Sequence, residues 1–592
     1  MAELFINPYT FVPLPKSGAK CSDLSVSGDE PVFSGRIDCT LTTITQLAIP
    51  DVLKNPGSEN APKEYDFFNI DGVPAIPGSG LRGVVRSVFE VMTDSCMRLN
   101  DTDDDYFHTR VNKTSPGIIE RSENGYILYK AERLRDKEDR GYNEKYDGKY
   151  KTGTVINNIS AASGKGNGSR IADWSKGSLC GVYLRVNRFG SGDKASHPSI
   201  FIKNEPLEKG FKKDYVDRLK KNVEMYEGIY KAEYEAAIKN MEQNGGSLPV
   251  WYWQDPKTEC YYLAPSQYSR AVFVNKPRDI VKEAGMQRCT STKAVCEACS
   301  LFGFIKDGKD GDCRASRVRF TDAVCTEPEN CFDGSFILPV LSTPRLSSFE
   351  FYLDHGGSEN YKKFGFGPDS DGVTLAGRKF YWHNLNNPIT HDDEFAKARP
   401  KMASKMQLMK KNRHFTFSVF FDNITDEQLK KLVFALNFGK NNGTSHGHKI
   451  GHGKPLGLGS VNIKVDRIVR RVYDGEVYSV DDVTGDILAG ATTSLFEFTA
   501  EKQAFIQRVL YLNSTKNNVV DYPRVSGNGD IFEWFAKNRK WSSQGYIKMT
   551  QFLPKITDIT QTLDRNAPSN NGTRGNGYGG RPAKKGGFNA YK

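Results

Sequence analysis

Two short glycine-rich segments, set far apart, constrain this chain more than any other feature of it. The first reads Ile76-Pro77-Gly78-Ser79-Gly80-Leu81-Arg82-Gly83, and the second Gly451-His452-Gly453-Lys454-Pro455-Leu456-Gly457-Leu458-Gly459. Glycine has no Cβ, so backbone N–H groups in such segments can close around an anion. Arg82, Arg86, Lys449 and Lys454 bring positive charge to the same places. With Gly78, Ser79, Gly80, His452, Gly453 and Gly457 they form the set expected to hold nucleic-acid phosphates.

The surrounding pattern says how each segment is mounted. Leu81, Val84, Val85, Val88, Phe89 and Met92 recur at helical spacing, so the first segment opens a helix with Ser79 or Gly80 at its N-cap. Backbone amides and helix dipole then face the loop. Residues 31–49 read as a strand, Pro50 to Pro62 as a loop, and Asp71-Gly72 as a hairpin turn. Asp426 to Phe438 reads as a helix with Thr425 and Gln428 as its capping box, and Val461 to Val465 as the strand after the second glycine segment. Further strands are expected at 250–253, 261–263, 318–320 and 349–352. Strands feeding helices and glycine loops twice over make this an α+β chain.

Neither segment is a nucleoside-triphosphate fingerprint. Gly78-x-Gly80-x-x-Gly83 has the dinucleotide spacing, but Pro74 and Pro77 stand where a buried parallel strand should run. Gly453-Lys454 is followed by Pro455, where a P-loop needs Ser or Thr. His446, His448 and His452 read as solvent-facing residues or phosphate contacts ahead of metal ligands or general acid–base groups.

Eleven cysteines occur at spacings unlike a secreted disulfide scaffold. Cys289-x6-Cys296-x2-Cys299 has the knuckle spacing of a structural Zn²⁺ site. Cys313 is the natural fourth ligand, with Cys260, Cys325 or a distant histidine as substitutes. Cys39 and Cys96 read as small core residues.

The formal charge is +11, and residues 565–592 supply six of those charges (Arg565, Arg574, Arg581, Lys584, Lys585, Lys592) with no acid. That Gly/Asn-rich tail reads as disordered, with Tyr578, Phe588 and Tyr591 able to stack on bases. Nothing reaches the apolar length of a membrane span, and the N-terminus lacks a signal pattern, so a cytoplasmic protein without membrane partners is expected.

The ordered series Ile76-Pro77-Gly78-Ser79-Gly80-Leu81-Arg82-Gly83-Val84-Val85-Arg86-Ser87, Cys296-Glu297-Ala298-Cys299-Ser300-Leu301-Phe302-Gly303, Ser316-Arg317-Val318-Arg319-Phe320-Thr321-Asp322-Ala323 and the second glycine segment resembles the RAMP superfamily of CRISPR effector proteins. Within it the chain is most similar to the backbone subunits of type III complexes, in a long, insertion-bearing branch. The likeness covers about 30–94 and 250–465. It implies a ferredoxin-like (RRM-type) core carrying a large insertion and a zinc-binding cysteine cluster. It also implies crRNA phosphates on both glycine loops, and target RNA and other effector subunits as partners. In some members a loop aspartate supports Mg²⁺-dependent cutting of target RNA. Asp66 is its nearest equivalent here, and Asp51 competes for the role.

The expected layout is 1–99 for the N-terminal part of the core, 100–249 for the insertion, 250–345 for the zinc region, 346–564 for the C-terminal part of the core and 565–592 for the tail. Two other classes stay open: a metal-independent endoribonuclease that matures crRNA, and a zinc-stabilised scaffold protein.

Overall fold

The computed structural model describes residues 3–24, 30–97, 106–111, 114–135, 150–163, 169–185, 199–211, 213–226, 229–255, 259–267, 269–305, 312–341, 349–354, 373–441, 443, 445–473, 476–523, 531–541 and 547–566. Tyr578, Phe588, Tyr591 and the tail cations after Arg565 lie outside them.

The central sheet follows from alternation in three long strands. Ile37, Cys39 and Leu41 in β1 (Val32–Thr43) are buried, while the intervening residues are only half-buried. In the order of the chain come β1, α1 (Gly78–Met92), β2 (Ala323–Cys325), β3 (His414–Thr425), α2 (Asp426–Asn437) and β4 (Ser460–Tyr473). In space the strands lie β4-β1-β3-β2, all neighbours antiparallel. Thus the first and last strands of the core sit side by side, with Ile463 opposite Leu41. The one apolar face of this sheet is covered by α1, through Leu81, Val85, Val88 and Phe89, and by α2, through Leu429, Leu432, Val433 and Leu436. The expected capping box is present: Gln428 N–H donates to Thr425 Oγ1 at 3.2 Å, and Thr425 N–H to Gln428 Oε1 at 3.2 Å.

Residues of the expected insertion, joined by strands Leu248–Gln254 and Tyr261–Ala264, build a separate eight-stranded sheet whose order runs from Ser169–Asp173 to Tyr261–Ala264, with Ser169–Asp173 also paired to Gly125–Arg135. The boundary expected at 249 falls inside one of its strands, Leu248–Gln254. Helices Lys213–Glu224 and Ile229–Asn244 pack on it through Leu219, Val223, Tyr234 and Met241. The sequence from about Glu205 to Gln243 reads as one charged helical stretch, but it divides between these two helices and strand Ser199–Phe211, which holds Glu205.

Three other expectations change. Pro50–Asn55, expected as loop, is a strand that pairs antiparallel with Lys63–Phe67. Phe349–Tyr352 forms a helical turn where a strand was expected, with Glu350 and Phe351 buried. Arg565 belongs to the fold and not to the tail: it pairs with Asp521 at 3.0 Å, next to strand Thr562–Asp564, which adds to Leu4–Ile6. Among the described residues no helix is long and apolar enough to cross a membrane.

Candidate nucleic-acid interface

The first glycine segment is mostly a joint inside the fold. Helix α1 starts at Gly78, with Pro77 at the N-cap instead of Ser79 or Gly80. The Gly78 N–H donates to the Asp322 carboxylate at 2.7 Å, so an internal carboxylate already occupies the helix N-terminus. A Cβ on Gly78 would lie 2.4 Å from the Phe320 carbonyl oxygen, which explains the glycine as close packing. Arg82 donates to the Phe302 carbonyl and lies over the Phe302 ring at 5.6 Å. Arg86 is 6% exposed. Its guanidinium bonds Glu90 at 2.7 Å, the Gly303 carbonyl at 3.3 Å and Cys299 Sγ at 3.2 Å. Arg86 is therefore withdrawn from any phosphate, contrary to the expectation. Ser79 and Gly80 stay exposed, and a Cβ on Gly80 would meet only Ile450, at 3.9 Å, so the two glycine segments are neighbours in space.

Behind Arg86 lies the cysteine cluster. Cys96, Cys289, Cys296 and Cys299 are all buried, with their sulfurs within 4.8 Å of one another. Cys96 Sγ is 3.6 Å from both Cys296 Sγ and Cys299 Sγ. Cys313, expected as the fourth member, is exposed and outside the group. The fourth thiol arrives from just beyond the C-terminal end of α1, nearly 200 residues upstream in the chain, so no local spacing marks it. Glu90 joins two guanidiniums here: it accepts from Arg86 and, at 2.8 Å, from Arg378, whose other nitrogen bonds the Cys96 carbonyl at 3.0 Å.

The second glycine segment is built differently. It leaves the short strand His448–Lys449 and enters β4. Gly453 (φ 70°) and Gly457 (φ 98°) bracket one tight turn, Lys454–Leu456, in backbone conformations that side-chain-bearing residues rarely adopt. Lys449 Nζ donates to the Gly457 and Leu458 carbonyls at 2.9 Å each and so shapes the loop from within. Lys454 Nζ lies 5.9 Å from the Tyr381 ring. Lys379 shares that ring at 5.3 Å and also sits 3.9 Å from the centre of Tyr9. Strand Arg378–Tyr381 pairs with Tyr9–Val12, which places Tyr9 opposite Tyr381.

No carboxylate pairs with Lys379, Lys449 or Lys454 among the described residues. Burial pushes Lys449 down to about 7, helped by Lys454, and Lys379 down to about 8. Burial also lowers Lys454, and burial with Lys454 lowers His452. Desolvating ammonium groups without a counter-charge is unfavourable, so an anion from outside would stabilise this patch.

Of the other loop histidines, His446 is half-buried with its Nδ1 2.9 Å from Ser445 Oγ, and His448 is an internal strut. His448 is buried and its Nε2 donates to the Leu436 carbonyl at 2.9 Å. His383, also buried, bonds Ser460 Oγ at 2.9 Å and the Gly447 carbonyl at 3.1 Å. Lys379, Tyr381 and Tyr9 were missed from sequence. The alternation Arg378-Lys379-Phe380-Tyr381 was the available signal, but only strand pairing brings it to the glycine loop.

The two candidate catalytic aspartates share the hairpin 50–67. Asp66 accepts from Lys54 Nζ at 3.1 Å, and Asp51 from Asn69 Nδ2 at 3.4 Å.

The family model of the RAMP superfamily matches residues 40–462, a span that holds both glycine segments and all four clustered cysteines. The chain belongs to the RAMP superfamily. No curated protein matches it. Among solved structures it is similar to Csc2 of Thermofilum pendens, at 9% identity over 72% of this chain and 80% of that one, with a TM-score of 0.14. A likeness at that level carries no argument about this molecule.

Proposed function

We propose that this chain is a crRNA-binding backbone subunit of a type III CRISPR ribonucleoprotein. The observation that carries the RNA reading is the set Lys379, Lys449 and Lys454: three lysines whose ammonium groups are desolvated, with no carboxylate partner among the described residues, and a glycine loop and tyrosine rings beside them. Phosphates supply the missing negative charge, and the rings suit bases or riboses next to it. Ser79 and Gly80, exposed on the neighbouring loop, extend the track. The strand–helix–strand–strand–helix–strand path with order β4-β1-β3-β2 is read as the ferredoxin-like core of such a subunit.

The four thiols are read as a structural Zn²⁺ site held by Cys96, Cys289, Cys296 and Cys299. Ligands at about 2.3 Å in a tetrahedron stand roughly 3.8 Å apart, close to the 3.6 Å separations here. The Cys296 N–H points at Cys289 Sγ at 3.2 Å and the Arg86 guanidinium at Cys299 Sγ, which suits thiolates and not thiols. A site closed by four protein ligands stabilises the fold and leaves no position for catalysis.

Titration of the full-length protein with single-stranded RNA at several salt concentrations tests the reading. Affinity should fall steeply with salt, with a log–log slope of about −0.7 per phosphate contact. Salt-insensitive binding, or none, overturns it and leaves the scaffold alternative.

A further inference from the structure

A cavity of about 550 Å³ opens beside the second glycine loop and shares Gly457 and Leu458 with it. Ligand pockets of roughly 300–1,000 Å³ hold small organic groups, so one nucleotide fits with room for water. The rest of its wall comes from residues 44–46 after β1, Asp333 and Phe336, residues 384–390, and the turn 410–412 that leads into β3.

The floor is fixed by internal hydrogen bonds. Gln46 Nε2 donates to the Asp333 carboxylate at 2.7 Å, and Gln46 Oε1 accepts the Ile389 N–H at 2.8 Å. Thr45 Oγ1 donates to the Gly457 carbonyl at 2.9 Å, tying this floor to the glycine loop. Lys410 is held outward by Asn330, at 2.9 Å to both its carbonyl and its side-chain oxygen. The side chains left over are the carboxamides of Asn384 and Asn412 and the ammonium of Lys411. They have no hydrogen-bond or ion partner among the described residues. Phe336 and Leu458 supply apolar wall.

Free carboxamides, an apolar wall and one free cation match a particular ligand chemistry. Carboxamides donate and accept together, as the edge of a base requires, whereas a phosphate uses only their N–H donors. Flat apolar surface suits the face of a base, and single-stranded RNA is read by bases turned out of the stack. We propose that this cavity receives one unstacked base of the RNA whose backbone crosses the glycine loop, with Asn384 and Asn412 bonding the base edge and Lys411 the adjoining phosphate. The inference rests on the RNA-binding reading above, because Lys379 and Lys454 are what bring the strand to the cavity mouth.

The test uses the full-length chain and oligo(A), oligo(C) and oligo(U) RNAs of one length at one salt concentration. The wild type should prefer one of the three by about tenfold or more, the discrimination of a good paired hydrogen bond. The double variant N384A/N412G should lose that preference while keeping the salt slope. Glycine is chosen at 412 because Asn412 has φ 57°, which glycine tolerates. Should the double variant melt earlier than wild type, N412D, which exchanges the donor for an acceptor and adds a negative charge, should still shift the preference. Equal wild-type affinity for all three RNAs, or a preference that survives both variants, overturns the cavity proposal alone. Absence of salt-dependent binding by the wild type overturns the RNA reading as well.

Discussion

The two glycine segments look alike in sequence and do different work in the fold. Around Gly78–Gly83 Asp322 takes the Gly78 amide, Glu90, Gly303 and Cys299 take Arg86, and the Phe302 carbonyl and ring hold Arg82. Around Gly451–Gly459 three lysines are answered by carbonyls and rings but, among the described residues, by no acid. Glycine next to a cation thus signals close backbone approach, and an anion site only where the cation lacks an internal counter-charge. The first loop is a joint of the core, packed beside the thiol cluster. The second is the face we propose for RNA.

The largest effect should come from breaking the thiol cluster. Purified protein should carry one Zn²⁺ per chain, and Cys96→Ser or Cys296→Ser should lose it, while Cys313→Ser keeps it. Structural zinc in finger peptides is worth about 10–16 kcal/mol, so chelation should cause early melting and proteolysis. Full metal content in Cys96→Ser would remove α1 from the site.

Next in size is Arg86→Met. Removing one partner of a buried charge network is worth about 3–5 kcal/mol of stability, and Glu90 would still retain Arg378 at 2.8 Å, which places the loss toward the lower end. Denaturant melts should show that loss with the RNA salt slope unchanged. A flatter slope would make the first loop a phosphate site after all.

The converse pair is Lys379→Ala and Lys454→Ala. Each should weaken RNA binding for any sequence and reduce the log–log slope by about 0.7, with little change in melting. Loss of stability without a change in slope would erase the contrast between the loops.

A smaller effect is pH-dependent. Lys449 sits near 7 and Lys379 near 8, against 10.5 for an ordinary lysine. Where the unfolded chain binds more protons than the folded one, stability rises with pH. The free protein should therefore gain stability from about pH 7 toward 10, while RNA affinity, which needs charged lysines, falls over the same range. Lys449→Met should blunt both trends.

Smallest of all for binding should be Asp66→Ala with Asp51→Ala, which leaves affinity and slope unchanged. The same variant, placed in the assembled complex with Mg²⁺ and complementary RNA, assigns cutting. Lost cleavage places it on this hairpin, and undiminished cleavage places it in another subunit.

Local patterns were legible from residues alone: the apolar face of α1, the capping box at Thr425 and Gln428, and the knuckle Cys296-x2-Cys299. All depend on neighbours within a few positions, where helical or knuckle geometry fixes the spacing. Phe349–Tyr352 was misread because four apolar and acidic residues fit either a strand or a helical turn, and burial chose the turn. Arg86 was misassigned for another reason. Its sequence neighbourhood shows a basic residue after a glycine loop, while Glu90 on the next turn and Cys299 across the core take its charge.

Composition, periodicity and spacing thus determine an α+β chain with two close-approach glycine loops and a thiol knuckle, because those properties are set by local backbone geometry. Tertiary structure alone decides which of the basic residues stay without a counter-charge, that Cys96 closes the thiol site, and that Lys379 and Tyr9 join Lys454. Desolvation and pairing depend on which side chains meet through strand order, and partners such as Cys96 and Cys299, or Tyr9 and Tyr381, are hundreds of residues apart in the chain.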